Sequence, residues 1–263
     1  MSSKSTTGTP TTLALIPYLN CEPFYGSVKE LGLEIVHEPP RVLGELAAQG
    51  VPTCGVMAVA DFFGLRDRYE PLGDLGIACE GPAHSVLLFT RAEIARLGNC
   101  RIGLTHESST SVRLVRLILE RKYGAEGIAF ERGEAPGDEG RLLIGDAALR
   151  AACDGLDGFP FVYDLGEEWH GWQGLPFVFA RWVVSKDVPE QDRRRILESL
   201  ESSLDGWEAR LPEITARRGP EFDLDEDGIR AYLETFRYRL GPLEAMGERT
   251  FESLLNDADG KES

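Results

Sequence analysis

The stretch RIGLTHESSTSVRLVRLILERKYG, residues 101–124, decides the fold class. Arg101 to Thr105 is a short apolar run of strand length. A polar turn follows, and from Thr110 to Tyr123 the residues Val112, Val115, Leu119 and Tyr123 recur near one helical face. Gly124 is the stop, because glycine adopts the left-handed conformation that ends helices. Strand, polar turn and amphipathic helix together form half of a βαβ unit.

The same alternation runs outward in both directions. Strands are expected at Leu13–Ile16, Leu33–Val36, Cys54–Met57, Ser85–Phe89, Arg141–Ile144 and Phe161–Asp164. Helices are expected from Pro23, from Pro40 to Gln49 with Gly50 as its stop, from Arg91 behind the Thr90-x-x-Glu93 capping box, and over Asp146–Cys153. Repeated strand–helix alternation predicts an α/β fold with largely parallel sheets. After Ser185 the pattern becomes helical. Pro189 opens a charged helix with Ile196, Leu200 and Leu204 on its apolar side, and helices follow at about 226–238 and 242–255, before a polar tail. Two α/β units without a flexible linker predict two lobes joined by crossing strands, with the ligand in the cleft between them. Gly174–Ala180 suits such a crossing. Trp169, Trp172, Phe177 and Phe179 read as core or hinge packing around it.

Composition narrows the function. The 263 residues hold 28 Lys+Arg against 44 Asp+Glu, a net charge of −16, so the overall field opposes a nucleic-acid-wrapping role and leaves room only for a local basic patch. Hydrophobic residues make up 42%, enough for a large core and too many for a disordered chain. The most apolar run, Gly174–Ser185, is broken by Pro176 and Arg181 and is too short to span a bilayer. MSSKSTTGTPTT lacks the apolar core of a secretory signal and reads as a disordered lead-in, so a cytoplasmic location is expected. The five cysteines, Cys21, Cys54, Cys79, Cys100 and Cys153, are scattered, which favours reduced thiols over disulfides or zinc. Neither a metal nor a cofactor is expected, and a homodimer is compatible with the sequence.

No phosphate-loop, dinucleotide, nucleophile-elbow or metalloprotease motif is present. His37, His84, His106 and His170 lack metal-ligand spacing and read as structural or surface residues. What remains is a set of short polar groups at strand ends. Ser109-Thr110-Ser111 opens the helix after the Arg101 strand, where free N–H groups and the helix dipole favour a carboxylate; one cap would have sufficed structurally. Asn20 follows the first strand and can donate and accept at once, although a turn role is the simpler local reading. Ser85 opens an apolar strand without a neighbouring base. Gly145 permits close approach of a ligand or backbone, and Asp146 reads most simply as a helix N-cap, with a functional acid as the alternative.

Five ordered segments carry a resemblance: PYLNCEPF (17–24), HSVLLFT (84–90), ESSTSVRL (107–114), LLIGDAAL (142–149) and YDLGEEW…GLPFVFARW (163–182). Together they resemble the chorismate dehydratase family of the futalosine route to menaquinone. The resemblance implies a two-lobed fold like type II periplasmic solute-binding proteins. It divides the chain into lobe 1 (12–90 plus about 180–263) and lobe 2 (91–179). It also implies a lyase that converts chorismate to 3-[(1-carboxyvinyl)oxy]benzoate and water. In this reading Asn20 and Ser85 are catalytic, and Ser109, Thr110, Ser111, Gly145 and Asp146 bind substrate. The chain departs from the family pattern at Thr53-Cys54, where an Asp is usual before Gly55, and at Gln173, where Thr is usual. The related 1,4-dihydroxy-6-naphthoate synthases resemble it in the DLG…W motif. They carry a His–Glu pair where this chain has Gly145-Asp146 and lack the PFVFA run. That enzyme and a non-catalytic small-anion-binding protein are the alternatives.

Overall fold

The computed structural model describes residues 11–51 and 54–259. The expected lead-in up to residue 10, Pro52 and Thr53 of the atypical segment, and the end of the polar tail lie outside the described residues.

Among the described residues eleven strands form two sheets. Strands β1 (Thr12–Leu15), β2 (Glu34–His37), β3 (Cys54–Ala58), β4 (Tyr69–Cys79), β10 (Phe177–Ser185) and β11 (Phe236–Arg239) build the first, in the order β11-β4-β10-β3-β1-β2. Strands β5 (Val86–Thr90), β6 (Arg101–Leu104), β7 (Ala129–Arg132), β8 (Gly140–Ile144) and β9 (Phe161–Asp164) build the second, in the order β7-β6-β8-β5-β9. The helices are α1 (Pro40–Ala48), α2 (Val59–Phe63), α3 (Thr110–Leu117, continued by a wider turn to Lys122), α4 (Gly145–Asp154) and α5 (Leu165–Gln173). The C-terminal third adds α6 (Glu190–Asp205), α7 (Leu211–Arg218), α8 (Glu226–Glu234) and α9 (Pro242–Asp259). Among the described residues no helix is long and apolar enough to cross a membrane.

The sheets are mixed rather than largely parallel. β1 runs parallel to β2 and β3, and β6 runs parallel to β7 and β8, as strand–helix alternation requires. The exceptions are β5 and β10, the strands that change sheets, and β11, which runs antiparallel to β4. The chain leaves β4 at Cys79 and enters the second sheet as β5, antiparallel to β8 and β9. It returns through Gly174–Pro176 as β10, antiparallel to β3 and β4. A strand arriving from the other sheet enters from the opposite end to a strand delivered by a local helix, so its direction is reversed. Val86–Thr90, expected with the first lobe, is thus hydrogen-bonded in the second sheet.

Asp164 ties the two crossings together. It caps α5 by accepting from the Gly166 and Glu167 N–H groups at 2.8 and 3.2 Å. The same carboxylate accepts from the N–H groups of Ala83 at 2.9 Å and His84 at 2.6 Å. A Cβ on Gly166 would lie 2.6 Å from both Cys79 Sγ and the Gly81 carbonyl, so only glycine lets α5 start against this loop. Trp169 and Phe177 stack edge-on at 5.1 Å and both meet Phe251 of α9, which makes these two core packing, as expected, whereas Phe179 lines the cavity described below.

Three local expectations are corrected. Pro23 lies inside a 3₁₀ turn, Leu19–Phe24, rather than opening a helix. The Thr90 hydroxyl donates to Ala92 O at 2.6 Å instead of capping, and only the turn Ile94–Arg96 forms. The helix expected to reach Tyr238 stops at Glu234, and the next residues join β4 as β11 because their Phe236 and Tyr238 alternate inward. In α6, the expected apolar positions Ile196, Leu200 and Leu204 are all buried.

Candidate functional site

The carboxyl ends of the parallel strands face one another across the two sheets, which is where open α/β sheets place ligands. β1 leads to Tyr18 and Asn20, β2 to Pro40, β3 ends at Ala58, β6 leads to Ser108 and Ser111, and β8 to Gly145. All of these line one cavity of about 50 Å³, with Ser85 and Phe179 from the two crossings and Phe236 of β11. Its remaining surface is aliphatic, including Ile16, Ile77, Val86 and Ile144. The first turns of α1, α3 and α4 open at its wall, so their positive ends favour an anion, although among the described residues no charged side chain lines the cavity.

Each polar group is prepared by its neighbours. Asn20 Oδ1 accepts from the Cys21 thiol at 3.4 Å, which leaves the amide nitrogen as the donor Asn20 offers. Burial pushes the Cys21 thiol up, so it stays protonated. Ser85 is fully buried, and its Oγ accepts from Tyr232 Oη at 2.7 Å and reaches the Ala83 carbonyl at 3.3 Å. Burial also raises the Tyr232 phenol, which keeps it a donor, so the Ser85 proton, held on the long 3.3 Å bond to the Ala83 carbonyl, is the one Ser85 can turn to a ligand. Ser108 Oγ accepts from the Ser111 N–H at 2.9 Å and donates to Ser111 Oγ at 3.1 Å, so the α3 cap is Ser108, one residue before the expected cap. Gly145 has φ +56°, and a Cβ there would lie 2.8 Å from the Tyr18 ring. Tyr18 is itself fixed by donating to Glu107 Oε2 at 2.8 Å; burial and then the Glu107 charge raise its phenol.

Of the seven expected site residues, Asn20, Ser85, Ser111 and Gly145 line the cavity together. Ser109, Thr110 and Asp146 do not. The Ser109 hydroxyl is hydrogen-bonded to Asp61 of α2. Thr110 Oγ1 accepts from the Ala60 N–H at 3.1 Å. Both therefore stitch α2 to α3 on the outer side of the wall. Asp146 is not a helix cap: its Oδ1 accepts from the Leu19 N–H at 3.0 Å and its Oδ2 from Arg218 Nη2 at 2.6 Å. Arg218 also meets Glu22 at 2.9 Å and Glu221 at 2.8 Å, and Arg217 grips Glu22 bidentately at 2.8 and 2.7 Å. With its oxygens so engaged, Asp146 clamps the second sheet to the first and the C-terminal helices. None of the four histidines lines the cavity.

Sequence reading missed Ser108, Tyr18 and Tyr232. The Ser108-x-x-Ser111 spacing is a capping signal that identifies the first. Tyr18 stands two residues from Asn20. Tyr232 carries no local signal, because it reaches Ser85 across 147 positions.

A family model described as menaquinone biosynthesis matches residues 11–257. The chorismate dehydratase of Thermus thermophilus is 29% identical over 94% of this chain and 95% of its own length. A crystal structure of an Archaeoglobus fulgidus protein superposes with a TM-score of 0.71 at 16% identity, covering 95% of this chain and 97% of that one. The alkanesulfonate-binding protein SsuA of Xanthomonas axonopodis pv. citri, bound to MOPS, gives 0.66 at 12% identity, with 95% and 92% covered. The two-sheet, crossing-strand architecture is that of the periplasmic-binding-protein fold. With that fold in place and the family match running from the first strand to the last helix, this chain belongs to the menaquinone biosynthesis family.

Proposed function

We propose that this protein is a chorismate dehydratase acting in the futalosine route to menaquinone, in the cytoplasm. The observation that carries the reading is the convergence of Asn20, Ser85, Ser108 and Ser111 with three helix starts on one cavity between the sheets. The likeness to the Thermus thermophilus enzyme over nearly the whole of both chains supports it.

The reaction removes the C3 proton and the C4 hydroxyl of chorismate and leaves 3-[(1-carboxyvinyl)oxy]benzoate and water. Aromatisation drives it. Charge developing at C3 spreads through the ring diene into the ring carboxylate, so a donor set around that carboxylate is stronger in the transition state than before it. Ser108, Ser111 and the α3 start supply such a set. Asn20 and Ser85 orient the enolpyruvyl arm, whose own carboxylate takes the C3 proton, since no residue lining the cavity is a competent base near neutral pH. Holding that carboxylate against the C3–H contributes several kcal/mol, on the order of a well-oriented intramolecular reaction. The departing C4 hydroxide takes up the proton that the enolpyruvyl carboxylate removed from C3 and leaves as water, which restores the carboxylate.

A cavity of about 50 Å³ is far below the several hundred Å³ that small-molecule sites occupy, so the two sheets must part for substrate to enter and close around it. Purified protein incubated with chorismate should yield the aromatic ether with loss of one water, followed by absorbance and mass spectrometry. Binding without conversion would leave a small-anion-binding protein. Inert chorismate with turnover of the naphthoate precursor would leave the sister enzyme.

A further inference from the structure

Outside the cavity, on the side away from the crossings, lies a groove of about 730 Å³. Three chain segments line both groove and cavity, with residues one or two positions apart on the two sides. Pro40 faces the cavity and Arg41 the groove; Ala58 faces the cavity and Ala60 the groove; Ser108 faces the cavity and Ser109 the groove. The first two segments belong to the first sheet and the third to the second. They meet through the Arg41 N–H to Glu107 carbonyl bond at 3.0 Å, the Ala60–Thr110 bond and the Asp61–Ser109 bond. Parting the sheets at this seam therefore joins groove and cavity into one channel.

The groove is also where cations gather. Arg41, Arg113, Arg116 and Arg132 line it, against the carboxylates of Glu45, Asp61 and Glu120, in a chain with 28 Lys+Arg and 44 Asp+Glu overall. Arg41 is paired with Glu45, and Arg113 comes only within 3.9 Å of Asp61. Arg116 lies over the Phe130 ring at 5.0 Å, and Arg132 donates to the Thr105 carbonyl at 2.7 Å. Among the described residues neither of these two has an ion-pair partner. The Arg132 guanidinium is held below its ordinary value by burial and then by Arg41 and Arg113, which shows how closely like charges are packed here.

We propose that this groove is a receiving site for small dicarboxylates, in which Arg116 and Arg132 take the ligand's carboxylates before the seam opens and passes it to the cavity. The inference rests on the cavity being the site of a dianion. Guanidinium forks match carboxylates bidentately, and a local positive concavity raises the capture rate of an anion that the distant negative field would repel. That distant field is screened within about 8 Å at cellular salt, so the near arginines prevail.

Phenylglyoxal labelling of the full-length protein, read by peptide mass spectrometry, tests this without reference to turnover. Isophthalate, a planar dicarboxylate, should slow labelling of Arg116 and Arg132 several-fold and leave the exposed Arg96 and Arg194 unchanged. Equal slowing everywhere, or none, overturns the proposal. In a second arm, an Arg116→Gln, Arg132→Gln double variant should lose about tenfold in kcat/KM for chorismate at low salt, with the deficit shrinking as salt rises. A deficit that is absent, or the same at all salt concentrations, also overturns it. Protection without chorismate turnover would leave the groove assignment standing and remove the dehydratase reading; turnover without protection would do the reverse.

Discussion

The cavity and the ionic clamp beside it are made from the same short segments and use opposite electrostatics. Asn20 faces the cavity while Glu22, two residues on, is gripped by Arg217 and Arg218. Gly145 faces the cavity while Asp146 meets Arg218. Ser108 and Ser111 face inward while Ser109 and Thr110 stitch α2 to α3. The ligand side holds neutral donors without formal charge, and the clamp side holds charges that are nearly all paired. Neutral donors can strengthen as charge develops on a substrate, whereas paired charges are already committed to holding the sheets together.

The largest effect that follows is on turnover. Asn20→Ala and Ser85→Ala should each lower kcat by about 100- to 1,000-fold, the range for losing a positioned donor to developing charge. The unfolding free energy of Asn20→Ala should stay within about 1 kcal/mol of the parent, whereas Ser85→Ala orphans the buried Tyr232 hydroxyl and should cost about 1–3 kcal/mol. Alanine in place of any of the four histidines should leave kcat within about threefold. A well-folded histidine variant without activity would break the comparison at its catalytic side.

The clamp should fail in the other direction. Asp146→Ala leaves Arg218 short of a partner in a largely buried cluster and should cost about 3 kcal/mol of stability, measured by urea unfolding. Activity per folded molecule should fall far less than in the Ser85 variant. Loss of turnover at unchanged stability would return Asp146 to the substrate-binding set.

The clamp also sets a pH signature. Burial alone would raise the Glu22 carboxyl, but hydrogen bonds and charge from Arg217 and Arg218 outweigh it and hold the group below the ordinary carboxylate value. A lowered folded-state value means the stabilisation is complete above the ordinary carboxylate range and is lost as pH falls through the folded one. Glu22→Gln should therefore be less stable than the parent at neutral pH, and the gap should narrow as pH drops below about 4. Asp146 is shifted upward, chiefly by burial, so it contributes with the opposite sign over its own range. A gap that widens in acid would contradict the assignment of Glu22.

A smaller effect concerns a residue that touches the site only through another. Tyr232→Phe removes the hydroxyl that occupies the Ser85 lone pair and should lower kcat about tenfold, roughly 1.4 kcal/mol, with KM little changed. Equal losses in kcat and stability would make Tyr232 a packing residue only.

These contrasts explain what was readable in the chain. Strand–helix alternation and the ends of β1, β2, β3, β5, β6, β8 and β9 were legible, because apolar period and turn chemistry are local, whereas β4, β7 and β11 were not expected as strands. That located the segments carrying Asn20, Ser85, Ser111 and Gly145, but not β4 with Ile77, β11 with Phe236, or Tyr232, which reaches Ser85 from α8 through tertiary packing alone. The direction of the crossing strands was not legible, because it depends on which sheet a strand enters. Nor was the side to which each residue of a polar run turns. Ser109-Thr110-Ser111 looked like one anion site, yet successive helical residues are about 100° apart, so three in a row cannot share a face.

The last contrast tests that geometry within a single turn. Ser111 and Ser109 have the same side chain, two residues apart, on opposite sides of the wall. Ser111→Ala removes a hydroxyl from the cavity and loosens the Ser108 cap, so kcat/KM should fall about tenfold, the worth of one hydrogen bond to a charged group. Ser109→Ala removes only the bond to Asp61. Asp61 is already raised by burial, which Ser109 and Arg113 partly offset, so without Ser109 it shifts further toward the neutral form. A neutral Asp61 needs less from its lost partner, and the seam should weaken by under about 1 kcal/mol with turnover within threefold. Equal losses from the two serines would mean that the wall does not separate them, and that the groove and the cavity are one site even when the sheets are closed.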